Sequence, residues 1–171
     1  MIGVGGGRDL LTAIAFGSRQ VTGVEINGIF LDLLEGPLRG FAGLADRPEV
    51  TLVHAEGRSY LARPGPAFDL IQMALVDTWA STAAGAMTLT ENGLYTLEAW
   101  RIFLRRLQPD GVLTVSRWYA PNRPGETARL LSLAAAALQA EGVEHPGDLV
   151  PVPDAYEVSE VVLCRVKVGA G

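Results

Sequence analysis

The sequence predicts an α/β protein with a mostly parallel sheet covered by helices on both faces, and three observations carry that prediction. Short apolar runs alternate with helical patterns of roughly ten to seventeen residues, the signature of strand-helix-strand units. A glycine cluster, Gly3, Gly5, Gly6 and Gly7, separates the first apolar run from the first helical pattern. Acids then stand at or just beyond the ends of the later strands, the edge where open parallel sheets bind their ligands.

The first strand is short. Met1 to Val4 leads straight into the glycines, so this strand reads as truncated against the usual five or six residues. Leu10, Leu11, Ile14, Ala15 and Phe16 then form an apolar face at i, i+3, i+4 spacing, closed by Gly17. Val21 to Ile26 is a buried strand that carries an acid, Glu25, near its end. A second helix runs from about Gly28 to Leu38, with Ile29, Phe30, Leu33 and Leu34 facing inward. Val50 to His54 is the third strand, followed by Ala55-Glu56-Gly57-Arg58 and a short helix from Ser59 to Ala62. Phe68 to Ala74 is the fourth strand. The segment from Leu75 to Thr90 is small and polar and reads as a loop, a lid or site wall. A helix over about Glu91 to Leu107 carries Leu94, Leu97, Trp100, Phe103, Leu104 and Leu107 on one stripe, with Arg101, Arg105 and Arg106 off it. Pro109-Asp110-Gly111 turns the chain into the fifth strand, Val112 to Ser116. An alanine-rich helix spans about Gly125 to Glu141. Two extended pieces, Leu149 to Val152 and Val158 to Val168, predict a C-terminal antiparallel hairpin at the sheet edge.

At 171 residues and 49% hydrophobic composition, the default is one globular domain with a substantial core. No apolar run reaches the roughly 20 residues of a membrane span. A net charge of −5 without a basic run gives no electrostatic footprint for nucleic acid. The single cysteine, Cys164, and a start without signal-peptide character fit a cytoplasmic setting. His54 and His145 have no partners at ligand spacing, so no metal is expected. The alanine-rich helix suits the sheet surface and equally a contact with a second copy, so a homodimer is compatible with the sequence.

The glycine turn reverses the chain tightly and leaves its backbone open to a ligand, with a helix N-terminus behind it. A dinucleotide fingerprint would need a third glycine where Arg8 stands. An adenosyl-sulfonium cofactor has no pyrophosphate and suits a glycine loop with two separate acids. Glu25 can accept from a ribose diol, and Glu56 from an exocyclic adenine amine.

Ile-Gly-Val-Gly-Gly-Gly-Arg-Asp at 2 to 9, Val-Thr-Gly-Val-Glu-Ile-Asn at 21 to 27, Ala-Glu-Gly-Arg at 55 to 58, Phe-Asp-Leu-Ile at 68 to 71, Asp77, and Leu-Gln-Pro-Asp-Gly-Val-Leu at 107 to 113 together resemble a known group. It is the spermidine synthase-like, or polyamine aminopropyltransferase, branch of the Rossmann-like class I S-adenosylmethionine-dependent methyltransferase fold. The resemblance implies a transferase that binds S-adenosylmethionine or its decarboxylated form and passes an aminopropyl group to a small-molecule amine. It also implies that Gly3, Gly5, Gly6, Gly7, Asp9, Glu25, Glu56 and Gly57 surround the cofactor and that Asp77 is catalytic. With an ordinary carboxylate pKa of about 3.9, Asp77 would orient the amine and stabilise developing charge more than remove a proton from an ammonium.

The departures from the pattern remove negative charge. The family's acid in the glycine loop is replaced by Gly6, and the first acid of its Asp-Ser-Ser-Asp strand end by Ala74. The family's N-terminal β-hairpin domain has no counterpart here. Methyl transfer, and an adenosyl-binding module without catalysis, are the alternative readings.

Overall fold

The computed structural model describes residues 1–74, 76, 93–117, 125–149 and 160–165. The chain divides into two compact units, Met1–Tyr60 and Leu61–Gly171.

In the first unit, the strand order follows from alternating crossovers. Ile2 forms a single parallel bridge with Val24, supported by Gly3 N–H to Val24 C=O and Val24 N–H to Met1 C=O, each 2.9 Å. The expected first strand is thus a bridge. Helix α1 (Arg8–Ala15) leads to β1 (Val21–Glu25), and α2 (Gly28–Glu35) and α3 (Arg39–Ala42) lead to β2 (Val50–His54), followed by α4 (Gly57–Ala62). Strands β1 and β2 are parallel, with Val21 opposite Val50 and Glu25 opposite His54. Val4, Leu10, Val21, Leu34 and Leu44 form the core of this unit.

Two expected helical faces are corrected. On α1, Leu10 is buried, but Phe16 is 88% exposed, because the helix ends at Ala15 and Phe16 occupies its C-cap. On α2, the buried residues are Leu31 and Leu34, while Ile29 and Phe30 are exposed. Asn27 caps α2 by accepting from Ile29 N–H at 3.0 Å, so Ile29 and Phe30 fall in the first turn. Helix α2 ends at Glu35, three residues before the expected Leu38, and α3 is an added turn within the expected loop.

In the second unit, β3 (Phe68–Ala74) pairs in parallel with β4 (Leu107–Arg117), and β5 (Glu160–Arg165) lies antiparallel on the other side of β4. The antiparallel edge is present as β5, whereas Leu149, expected in an extended arm, belongs to a 3-10 turn over Pro146–Leu149. Helix α5 (Leu97–Arg105) is shorter than expected at both ends, since Thr96 caps it by accepting from Ala99 N–H at 3.2 Å and Leu107 already starts β4. The Pro109-Asp110-Gly111 turn lies inside β4 as a bulge. Phe68 pairs with Leu107 and Leu70 with Val112, so the extra residues loop out. Gly111 is required there: a Cβ would lie 2.9 Å from the carbonyl oxygens of Gln108 and Phe68.

Helices α5 and α6 (Gly125–Ala140) pack together through buried Ala99, Trp100, Phe103 and Leu104 on one and Leu130, Ala134, Ala137 and Leu138 on the other. The buried Trp100 indole donates to Leu94 C=O at 3.1 Å. Glu141, just past α6, accepts from Arg101 Nε at 2.7 Å and Arg105 Nε at 2.8 Å. Burial alone raises the Glu141 carboxyl, but the hydrogen bonds and charges of Arg105 and Arg101 hold it below its ordinary 4.5. A carboxyl depressed in the fold adds stability above its unfolded pKa and loses it as pH falls through the folded value. Glu141→Gln is therefore expected to lower Tm by about 3 °C at pH 7, with the difference shrinking in high salt and vanishing in acid below the folded pKa. Thermal melts of both proteins from pH 7 to pH 3 check this, and a pH-independent difference would contradict it.

Candidate functional site

The predicted cofactor residues all lie in the first unit, at the carboxyl ends of three adjacent parallel segments. Gly3, Gly5 and Gly7 have φ of 80°, 49° and 80°, the left-handed region that favours glycine. This lets the chain leave the Ile2 bridge, turn at Val4 and enter α1, with Gly7 N–H donating to Val4 C=O at 2.8 Å. Gly6 differs: its φ is ordinary, and a Cβ there, like one on Gly5, meets no atom within 4 Å. The glycine backbone therefore faces open space on one side. Gly7 faces inward, where Leu44 Cδ1 occupies the position a Cβ would need. The N-cap of α1, Gly7, supplies no side-chain acceptor, so the first-turn amides have no side-chain cap. Asp9 lies in that turn and accepts from the exposed Arg8 Nε at 3.0 Å.

Glu25 ends β1 and is only 6% exposed. Its carboxylate binds the turn itself: Oε2 accepts Val4 N–H at 2.8 Å and Gly5 N–H at 3.1 Å, and Oε1 accepts Asn27 N–H at 2.9 Å. A carboxylate has about four acceptor positions. Three are filled by the protein, and Oε1 keeps one. One ribose hydroxyl can bond there without displacing a backbone amide, a tighter arrangement than both oxygens serving a diol.

Glu56 follows β2 next door, since Ala55 N–H donates to Glu25 C=O at 3.0 Å. It caps α4: Oε1 accepts Arg58 N–H at 2.8 Å and Oε2 accepts Ser59 N–H at 2.7 Å. Burial pushes its carboxyl up, but the Ser59 and Arg58 hydrogen bonds and the Arg58 charge win, and it stays below its ordinary value. It is thus held ionised and oriented, with the Ser59 side chain as a third donor and one acceptor position left. Gly57 lets Ile2 approach, as a Cβ would sit 2.7 Å from Ile2 Cγ2.

Asp77 lies outside the described residues, as does the rest of the expected Leu75 to Thr90 loop apart from Val76. Among the described residues, no group of His, Cys, Asp or Glu is arranged to hold a metal ion, and no helix is long and apolar enough to cross a membrane. Sequence reasoning did not single out Ile26, which follows Glu25 and is 48% exposed, an apolar surface beside the acids. The expected buried strand runs through Ile26, but β1 ends at Glu25 and leaves this side chain exposed.

Parallel segments, a glycine turn into α1 and helices between the strands make a Rossmann-like class I methyltransferase fold. Solved structures agree. The chain is similar to spermidine synthase from Thermotoga maritima, with 16% identity and a TM-score of 0.68 over 98% of this chain and 53% of that one. It is similar to human methyltransferase-like protein 13 in complex with SAH, with 19% identity and a TM-score of 0.69 over 96% of this chain and 69% of that one. A spermidine synthase in complex with the transition-state analogue AdoDATO matches at 15% identity and a TM-score of 0.65, over 98% of this chain and 52% of that one. The chain spans about half the length of these spermidine synthases, and at these identities the likeness is one of fold. No family model matches the chain, and no curated protein matches it in sequence.

Proposed function

We propose that this chain is the adenosyl-binding domain of a spermidine synthase-like transferase, working in the cytoplasm on a small-molecule amine. The observation that carries the reading is the Glu25 carboxylate, buried at the end of β1, bound to the glycine turn and keeping one acceptor position on Oε1. It lies beside the open backbone face of Gly5 and Gly6. The residues present fit an adenosyl ligand: Glu25 would hold a ribose hydroxyl, Glu56 the adenine amine, Ile26 an apolar face of the base, and the glycine turn the chain beyond the ribose. S-adenosylmethionine or its decarboxylated form, when bound, supplies an electrophilic carbon attached to a sulfonium. Asp77 would align the attacking amine, and alignment supplies much of the rate in a transfer of this kind.

Methyl transfer is the second reading, and Gly6 favours it. The aminopropyl reading needs an acid near the ligand's amine, and position 6 has none while Asp9 is engaged by Arg8. Human methyltransferase-like protein 13, bound to SAH, has the same fold.

Calorimetric titration with S-adenosylmethionine, decarboxylated S-adenosylmethionine, methylthioadenosine and NAD tests the proposal. Tighter binding of the decarboxylated ligand supports aminopropyl transfer, tighter binding of S-adenosylmethionine supports methyl transfer, and binding of NAD alone rejects both. Asp77→Asn is expected to reduce turnover about a hundredfold with ligand affinity unchanged. Unchanged turnover in a steady-state assay would remove Asp77 from the mechanism.

A further inference from the structure

His54 ends β2 directly opposite Glu25 in the parallel register. Its Nε2 lies 3.1 Å from Ile26 C=O. A carbonyl oxygen only accepts, so Nε2 carries the proton. The ring also packs against the start of α2, where Gly28 makes room for it: a Cβ at 28 would lie 2.9 Å from His54 Cε1 and 3.2 Å from Nε2.

Ile26 C=O and Asn27 N–H belong to one peptide group. That group is planar and trans, so its oxygen and its N–H point in opposite directions. One end is held by His54 Nε2, and the other donates to Glu25 Oε1 at 2.9 Å. Rotation of this peptide would break both bonds together. The same peptide joins Ile26 to the Asn27 cap of α2. Polarisation along the chain from imidazole through amide to carboxylate strengthens each bond.

We propose that His54 is a positioning residue for the Glu25 carboxylate, acting through the Ile26–Asn27 peptide and seated against Gly28. Its effect on ligand affinity rests on the adenosyl reading; its hold on the peptide does not.

Two measurements on the whole chain test this: hydrogen exchange at the Asn27 amide without ligand, and calorimetric affinity for methylthioadenosine and S-adenosylmethionine. In His54→Ala, Asn27 exchange is expected to rise about tenfold and affinity for both ligands to fall about fivefold, the scale of one hydrogen bond. His54→Gln, whose amide N–H can reach Ile26 C=O, is expected to restore most of both. Gly28→Ala displaces the ring while leaving His54 in the chain. It should reproduce the faster exchange and weaker binding without lowering the unfolding midpoint, since alanine suits a helix better than glycine. A merely structural role would make stability and affinity fall together. Unchanged Asn27 exchange in both His54→Ala and Gly28→Ala would overturn the proposal, as would equal losses in His54→Ala and His54→Gln. Should the parent chain bind neither ligand, the adenosyl reading fails, and Asn27 exchange still decides the role of His54.

Discussion

Glu25→Ala is expected to abolish measurable adenosyl-ligand binding and to lower stability by about 3 kcal/mol. The second effect does not depend on any ligand. Three backbone donors, on Val4, Gly5 and Asn27, end on this one carboxylate, the first of them in a buried bond. A buried donor left without its charged partner costs about 1–3 kcal/mol, and water entering the space vacated by the side chain recovers part of the sum. Glu25→Gln sharpens the argument. Its single amide oxygen can keep Val4 and Gly5 if it takes the Oε2 position, but its NH2 then faces Asn27 N–H, donor against donor. We expect it to lose about half as much stability and nearly all binding, because the Oε1 position no longer accepts. Urea unfolding followed by circular dichroism, together with calorimetric titration, checks both variants. An alanine variant with the parent's midpoint would show that Glu25 does not hold the turn.

The hold of Glu25 on three backbone amides marks where the sequence becomes hard to read. The strands were legible: Val50–His54 and Phe68–Ala74 fall where their apolar runs place them. Helical faces were less so. Ile29, Phe30, Leu31, Leu33 and Leu34 crowd α2 with apolar residues, so spacing alone does not choose a stripe, and the Asn27 cap sets which ones turn inward. Pro109-Asp110-Gly111 has the local chemistry of a turn, but pairing with Phe68 and Leu70 keeps it within a strand as a bulge. At the site, the glycines and the two acids could be found from residue type and order, because parallel sheets present such groups at one edge. What these acids touch could not. Their partners are backbone amides, which carry no side-chain signature and depend on the path of the loop. The Gly28 and His54 contact joins the start of α2 to the far end of β2, and nothing local to either residue announces it.

The neighbours Gly6 and Gly7 should separate folding from binding most sharply. Gly7→Ala is expected to cost about 3 kcal/mol. Its Cβ would collide with Leu44 Cδ1, Leu44 is fully buried, and the backbone φ of 80° is strained for any residue with a Cβ. Leu44 belongs to the core that holds α1 against β1, so it has little room to yield. Gly6→Ala meets no atom within 4 Å and has an ordinary φ, so stability should stay level or rise by about 0.5 kcal/mol through a less free unfolded chain. Yet that methyl projects into the space the adenosyl reading reserves for ligand, and affinity for S-adenosylmethionine should fall at least about tenfold, roughly 1.4 kcal/mol. Gly6→Asp carries the same logic to the reaction. It supplies the acid that the spermidine synthase-like pattern has at this place, beside the cationic aminopropyl group of the aminopropyl reading. The decarboxylated ligand should then gain on S-adenosylmethionine, whose carboxylate the new charge repels. Equal affinity of Gly6→Ala and the parent for every adenosyl ligand would mean that the open side of the glycine turn is not where the ligand lies.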